Sequence, residues 1–481
     1  MAKGLAAMRL FLVQIFLVIV LLTIARGCRA QASIMSGLPA QSTHTSAEKT
    51  DSPVIISLDE AIRRAEQNDS NFANAIAATG VAERGRSIAR STLLPTVRYH
   101  NEYIYTESSG GRNFGKHAGK QAGNSDAFVF LPNNAIHEYV SQAIVTENLS
   151  FSEVVQVKRA DALSAQAAAQ AEIARRGLVF TVVQQYYGVL ASEEKLQIAK
   201  RATVEANRFV DLTKKLEQGG EVAQADVIKA ELQLQQRQRY EETARLLADN
   251  SRLELGILLF TDPRTDYRLA DDLRRAPPIP NEADVDATAQ DNNPDIRSAV
   301  EALRSAKENV SIARSGYLPQ LSLNWTYGID APQFAVNGPL DLSLNPPVKP
   351  RNLGYSAFAM LDIPVWDWLA THNRVRQSQI RKAAAQTTLN ETQKRLLANL
   401  KEFYHNAEVA WHQLTSLQQS VKTATDSLKL TNMRYQAGEA TALEVVDAQN
   451  TLLLTKQAYV DGEVHYRATL ADLQTLTGIL P

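Results

Sequence analysis

The sequence predicts an α+β fold in one internally duplicated protomer, in which long antiparallel helical hairpins carry four amphipathic β-strands. Three observations carry that reading. The phrase Ser-Ile-Ala-Arg-Ser-x-x-Leu-Pro begins at Ser87 and again at Ser311. No proline lies between Pro132 and Pro263, nor between Pro364 and Pro481. After each Leu-Pro, apolar or aromatic residues alternate with polar ones. A self-similarity at a fixed offset sets the architecture of a chain before any shorter motif does.

The N-terminus reads as an export signal over residues 1–32. Lys3 and Arg9 flank a basic start, Leu10 to Ala25 is almost wholly apolar, and Ala30-Gln31-Ala32 places small residues at the −3 and −1 positions of a cleavage site. The apolar run is shorter than the roughly 20 residues of a bilayer-spanning helix, which argues against a retained anchor. Cys28, the single cysteine, falls inside this segment. Arg26 and Ala25 ill suit a lipidation signal, so Cys28 is expected to be removed, leaving no disulfide, thiol nucleophile or thiolate metal site. A polar linker, residues 33–56, follows. With 51 basic and 52 acidic residues, the chain offers no electrostatic case for nucleic acid. No later apolar run approaches a membrane-spanning helix, so a membrane-spanning part would have to be a β-barrel.

The first repeat spans 57–280 and the second 281–481. "AEQNDSNFANAI" from Ala65 parallels "AQDNNPDIRSAV" from Ala289, and "QGGEVAQADVIKAE" from Gln218 parallels "QAGEATALEVVDAQ" from Gln436. Ala, Gln, Glu, Lys, Arg and Leu dominate the proline-free stretches and lose little on entering a helix. They are expected to form helical hairpins over 154–262 and 369–480. Val154 to Glu217 alone would extend roughly 95 Å. Gly219 with Gly220, and Gly438, mark the bends. In the returning arm Leu443, Val446, Leu452, Leu453 and Ala458 recur at mixed threes and fours, as in helices packed along a seam. That pattern alone equally describes a soluble coiled-coil rod.

The segments after each Leu-Pro argue against a plain rod. Pro95 and Pro319 cannot continue a helix interior, and they bias Leu94 and Leu318 toward extended geometry. β-Hairpins are expected over 96–149 and 320–363. Val97, Tyr99, Tyr103 and Tyr105 alternate with Arg98, His100 and Glu102, and Leu321, Leu323, Trp325 and Tyr327 alternate with Ser322, Asn324 and Thr326. Leu353 to Ile363 share one apolar parity before Pro364, with a weaker counterpart at Tyr139 to Leu149. Segments of about ten residues, apolar on one face and joined by irregular Gly-, Asn- and Pro-rich loops, mark outer-membrane barrel strands. A single such segment also fits a half-buried strand of a soluble sheet. Four strands cannot close a barrel, which takes about eight, so several protomers would have to share one.

On these residues the chain resembles the TolC-like outer membrane factors, from about Ser57 to Pro481. The matching features are the doubled Ala-Arg-Ser-x-x-Leu-Pro at 89–95 and 313–319, the Ile363-Pro364-Val365-Trp366-Asp367 step, and Tyr435-Gln-Ala-Gly438 followed by Leu443, Val445, Asp447 and Ala448. The resemblance implies an α+β membrane protein that is a homotrimer, with four transmembrane strands per protomer in a shared 12-stranded barrel and helices forming a periplasmic tunnel. It further implies a tripartite efflux pump, in which the tips at Gly219, Gly220, Glu221, Gly438 and Glu439 meet a periplasmic adaptor. The adaptor in turn joins an inner-membrane transporter of resistance-nodulation-division or ABC type. The alternatives are the outer-membrane component of type I protein secretion and a periplasmic coiled-coil adaptor.

At the tip, the resemblance assigns Glu444 and Asp447 to tunnel-constricting carboxylates; a trimer would present them as rings that favour cations. An ordinary exposed helix face is the alternative. Tyr435 matches an aromatic of the family's closing network and Asp226 an acidic partner of an arginine, but that arginine position is Ala440. "NLSFSEVV" at 148–155 also lacks the family's usual proline and glycine at this helix entry.

Outside the resemblance, His405, Glu408 and His412 share a helical face with spacing that permits metal ligation. The first repeat has no equivalent ligands near Tyr187 and Leu190, so the three read as a solvated face. No nucleophile constellation or Gly-rich phosphate loop is present, and neither enzyme activity nor a cofactor is expected.

Overall fold

The computed structural model describes residues 54–105, 137–274, 277–338, 340 and 346–478. The signal segment, Cys28, most of the linker and the loop at 106–136 lie outside the described residues. In chain order the elements are β1 (Val54–Ile56), α1 (Leu58–Asn68), α2 (Ser70–Ser91), β2 (Thr96–Tyr105), β3 (His137–Leu149), α3 (Phe151–Gln218) and α4 (Gln224–Leu259). They continue with β4 (Tyr267–Leu269), α5 (Glu282–Asn292), α6 (Pro294–Ser315), β5 (Gln320–Ala331), β6 (Leu353–Asp362), α7 (Ala370–Gln436) and α8 (Ala442–Thr477).

The duplication extends to element length. Helices α2 and α6 have 22 residues each, α3 and α7 have 68 and 67, and α4 and α8 have 36 each. Equivalent caps start the short helices: the Asp69 carboxylate accepts from the Phe72 amide at 2.6 Å, and the Asn293 side chain accepts from the Ile296 amide at 3.0 Å. Helix α3 starts at Phe151 rather than Val154, because the Ser150 hydroxyl accepts from the Glu153 amide and caps it without proline or glycine. The arms of each hairpin are unequal. Helix α3 lies along α2 as well as α4, and also along α6 and α8, while α7 lies along α6 and α8.

The four-stranded sheet has the order β2-β3-β5-β6, antiparallel throughout. Each repeat gives one hairpin, joined through β3 and β5, with Leu149 opposite Leu321 and Tyr139 opposite Ala331. One face carries the rows Leu149–Leu321–Leu361, Val97–Val145–Trp325–Ala357 and Tyr99–Ala143–Tyr327–Tyr355, ending at Tyr103–Tyr139–Ala331. These rows span about ten residues of β3. At 3.3 Å per residue and a tilt near 40° they cover roughly 25 Å, the height of a membrane-facing band. The opposite face carries Arg98, His100, Glu102, Thr146, Ser322, Asn324 and Asp330, but also Phe358 and Met360 from β6.

The best-filled core is a waist that sequence periodicity does not reveal. Ile56, Ile62, Val182, Val183, Tyr186, Tyr187, Leu255, Leu259 and Tyr267 pack together from five elements. Here β1 pairs with β4, and the Tyr186 hydroxyl donates to the carbonyls of Ala270 at 2.7 Å and Ile56 at 3.2 Å. Gly256 lets the chain turn back tightly, because a side chain there would meet the Pro263 carbonyl at 2.6 Å. Away from the waist burial is one-sided: α2 buries no residue, and its Ile76, Val81 and Ile88 are exposed. Among the described residues no helix is long and apolar enough to cross a membrane.

Candidate functional site at the hairpin tips

Both hairpins turn through the same backbone device. After α3, Gly220 adopts φ 76°, its amide donates to the Glu217 carbonyl at 2.9 Å, and the Glu221 amide donates to the Leu216 carbonyl at 2.8 Å. After α7, Gly438 adopts φ 74°, with Gly438 to Tyr435 at 3.1 Å and Glu439 to Arg434 at 2.8 Å. This is the Schellman closure, which requires left-handed backbone at the position after the cap and so favours glycine. Gly219 caps α3 with ordinary right-handed geometry.

The tip of the second hairpin is more tightly knit than the first. Thr441 and Glu444 form a capping box at the start of α8: the Thr441 hydroxyl accepts from the Glu444 amide, and the Glu444 carboxylate accepts from the Thr441 amide at 3.2 Å. The same carboxylate stands 3.4 Å from the Arg434 guanidinium, which also donates to the Glu439 carbonyl at 3.0 Å. Arg434 was not among the residues the sequence singled out. Its position in the last turn of α7, across a short turn from two acidic residues, is the signal that could have marked it. Asp447, one turn beyond Glu444, is exposed.

Tyr435 is not an open lining residue. It is 3% exposed, its ring centroid lies 5.3 Å from that of Phe209, and its hydroxyl donates to Thr213 Oγ1 at 3.4 Å. Val210, Ala230, Ala442, Val445 and Val446 complete this cluster, which fastens α3 and α4 of one hairpin to α7 and α8 of the other. Burial raises the pKa of the Tyr435 phenol, and the charge of Asp226 pushes the same way. The structure thus brings Asp226 and Tyr435 into electrostatic reach of each other. Ala440 packs against this cluster where the family resemblance would place an arginine.

At the opposite end, α2 and α6 run out in tight turns before Pro95 and Pro319, with the Leu94 amide on the Ser91 carbonyl at 3.1 Å and the Leu318 amide on the Ser315 carbonyl at 2.9 Å. Leu94, Leu318 and the Pro364 segment are exposed. Arg90 of the repeated phrase and Arg86, the residue just before that phrase, pair with Asp161 of α3. His405 and Glu408 stand 3.6 Å apart on exposed α7. Among the described residues no group of three or more His, Cys, Asp or Glu is arranged to hold a metal ion.

The family model described as "Outer membrane efflux protein" matches residues 287–479. Outer membrane protein TolC of Vibrio cholerae is 22% identical over 428 residues, covering 88% of this chain and 91% of that protein. The pyoverdine export outer membrane protein OpmQ of Pseudomonas aeruginosa is 24% identical over 435 residues, covering 88% and 84%. Among solved structures, the Campylobacter jejuni CmeC outer membrane channel superposes with a TM-score of 0.72 at 16% identity, covering 91% of this chain and 90% of that one. The likeness is one of fold.

Proposed function

We propose that this chain, a member of the TolC-like outer membrane efflux proteins, is the protomer of a homotrimeric export duct. Three four-stranded sheets make one 12-stranded barrel in the outer membrane of a Gram-negative bacterium, and the long helices make a tunnel through the periplasm. The observation that carries this reading is a four-stranded sheet with two free edges and an apolar face roughly 25 Å tall, joined to helices of 68 and 67 residues. Conduction is passive. A periplasmic adaptor docks on the tips around Gly219, Gly220, Glu221, Gly438 and Glu439, and delivers cargo from a resistance-nodulation-division or ABC transporter of the inner membrane.

At the tip Asp447 forms the freer of the two carboxylate rings, because Glu444 is partly neutralised by Arg434 and committed to its capping box. Fractionation and planar-bilayer recording test the proposal. The protein is expected in the outer-membrane fraction, with a detergent-corrected mass of three protomers and cation-selective pores. Asp447→Ala should weaken that selectivity more than Glu444→Gln. A soluble monomer would refute the duct, and unchanged selectivity in Asp447→Ala would remove the ring.

A further inference from the structure

We propose that Trp366 and Trp368, on the segment joining β6 to α7, form an interfacial anchor among the phospholipid headgroups and upper acyl chains of the periplasmic leaflet. The inference rests on the membrane-barrel reading and adds to it a lipid-contact surface outside the strands.

Trp366 is 69% exposed and Trp368 is 84% exposed, with Ile363, Val365 and Leu369 exposed around them. The two indoles meet edge to face, with centroids 5.8 Å apart and planes at 75°, so they make one ridge. The segment is held in place: the Asp367 carboxylate accepts from the Thr371 amide at 2.7 Å, and the Asp367 carbonyl accepts from the Ala370 amide at 3.0 Å. Trp368 at φ 55° and Leu369 at φ 64° are also the non-glycine residues with positive φ among the described residues. Bulky side chains disfavour left-handed backbone, and residues held there cluster where the conformation serves a contact. Within the protomer these side chains receive little burial in exchange.

Continuity identifies what covers them. The outward parity of β6 runs through Tyr355, Ala357, Ala359 and Leu361, and the row Leu149–Leu321–Leu361 closes the apolar band at this end of the sheet. Ile363 continues that parity and Trp366 and Trp368 lie just beyond it in the chain; Leu94, Phe151, Tyr317 and Leu318 at the other strand–helix junctions are exposed as well. Indole combines an apolar body with a polar N–H and concentrates where hydrocarbon meets headgroup. Exposed Arg374 and Arg376 in the first turns of α7 add cations for lipid phosphates. A neighbouring copy of the chain would use the hydrogen-bonding edge of β6, not the ridge beyond its end.

The four tryptophans of the chain supply the test and its controls. Single-tryptophan versions, with phenylalanine at the other three positions, are reconstituted into phosphatidylethanolamine–phosphatidylglycerol vesicles whose acyl chains carry bromine at a shallow or a deep position. Trp325 lies on the apolar face of β5, four residues above Leu321 and so roughly 10 Å deeper. Trp411, in the middle of α7, packs beside Tyr466 with centroids 5.1 Å apart. Fluorescence of the Trp366 and Trp368 versions should be quenched about twofold more strongly by shallow than by deep bromine. The Trp325 version should show the opposite order, and the Trp411 version no quenching. Quenching at Trp325 without quenching at Trp366 and Trp368 overturns the anchor, and a blue-shifted, unquenched Trp368 overturns it in favour of a neighbouring copy. Absence of quenching at Trp325 overturns the barrel reading itself.

Discussion

Truncating Tyr435 should separate the two hairpins at their tips. Its ring is almost fully buried between Phe209, Ala442 and Val445, and removing a buried aromatic ring costs about 3–5 kcal/mol. The hydroxyl contributes far less. Its bond to Thr213 is long, at 3.4 Å, and Thr213 keeps its own bond to the Phe209 carbonyl at 2.8 Å. Tyr435→Phe is therefore expected to cost about 0.5 kcal/mol, the low end for a neutral hydrogen bond. Native-state hydrogen exchange of the amides at 205–216 and 430–447 reads the difference locally. With 1.4 kcal/mol per tenfold change, Tyr435→Ala should exchange roughly a hundred- to a few-thousand-fold faster, and Tyr435→Phe within about threefold of the parent. Leu443→Ala is the control, because Leu443 is half exposed on the same tip. If Tyr435→Phe accelerates exchange as much as Tyr435→Ala, the polar contact holds the tip. If neither changes it, the tip cluster does not join the hairpins.

Replacing Gly220 or Gly438 by alanine should destabilise each hairpin by about 1 kcal/mol through left-handed strain alone, since nothing lies within 4 Å of either added Cβ. Asparagine should recover most of the loss in a denaturant titration. Arg176 is buried and donates to the carbonyls of Thr475 at 2.8 Å, Leu476 at 3.4 Å and Asn292 at 3.1 Å, while pairing with Glu172. Arg176→Ala orphans the C-terminal carbonyls of α8 and should cost about 3 kcal/mol in thermal unfolding; Arg176→Lys should not restore it, for lack of the guanidinium fork. Asp472 has its pKa raised by burial to about 6 from an ordinary 3.8. The folded chain then binds the proton more tightly than the unfolded one, so this group's contribution falls as pH rises from about 4 through about 6. Asp472→Asn should stabilise the protein at pH 7 by about 1–2 kcal/mol, discounted for partial exposure. It should also flatten the stability profile across that window, and a profile unchanged by the substitution would reject the assignment.

The junctions and turns were legible because a few residue types enforce them: proline stops α2 and α6, and glycine is the residue most at ease at the left-handed positions 220 and 438. The strands β2 and β5 were legible from alternation. Strand β3 was harder to read, because Ser141 stands on its apolar face, where it bonds to Asn101 Oδ1 at 2.7 Å and to the Tyr99 hydroxyl at 2.8 Å. On β6 the reverse holds, with Phe358 and Met360 on the face of Asn324 and Thr146. The waist escaped notice because Ile56, Tyr186 and Tyr267 meet only in three dimensions, and no local period records such a meeting. At the tip, Thr441-x-x-Glu444 carried a capping-box signature that competes with any reading of Glu444 as a free charge. The engagement of Arg434 depends on how the Gly438 turn folds the chain back.

Among the described residues β2 and β6 each pair on one side only, which bears on the life history of the proposed duct. Unpaired amides and carbonyls are costly in hydrocarbon and invite pairing with any strand at hand. In the proposed duct a solitary protomer is therefore poorly suited to either lipid or water, and barrel completion has to be concerted with insertion. Apparent stability then depends on protomer concentration. A substitution on either edge strand would be felt during biogenesis, as a shortage of assembled pores, before it altered a pore that had already formed.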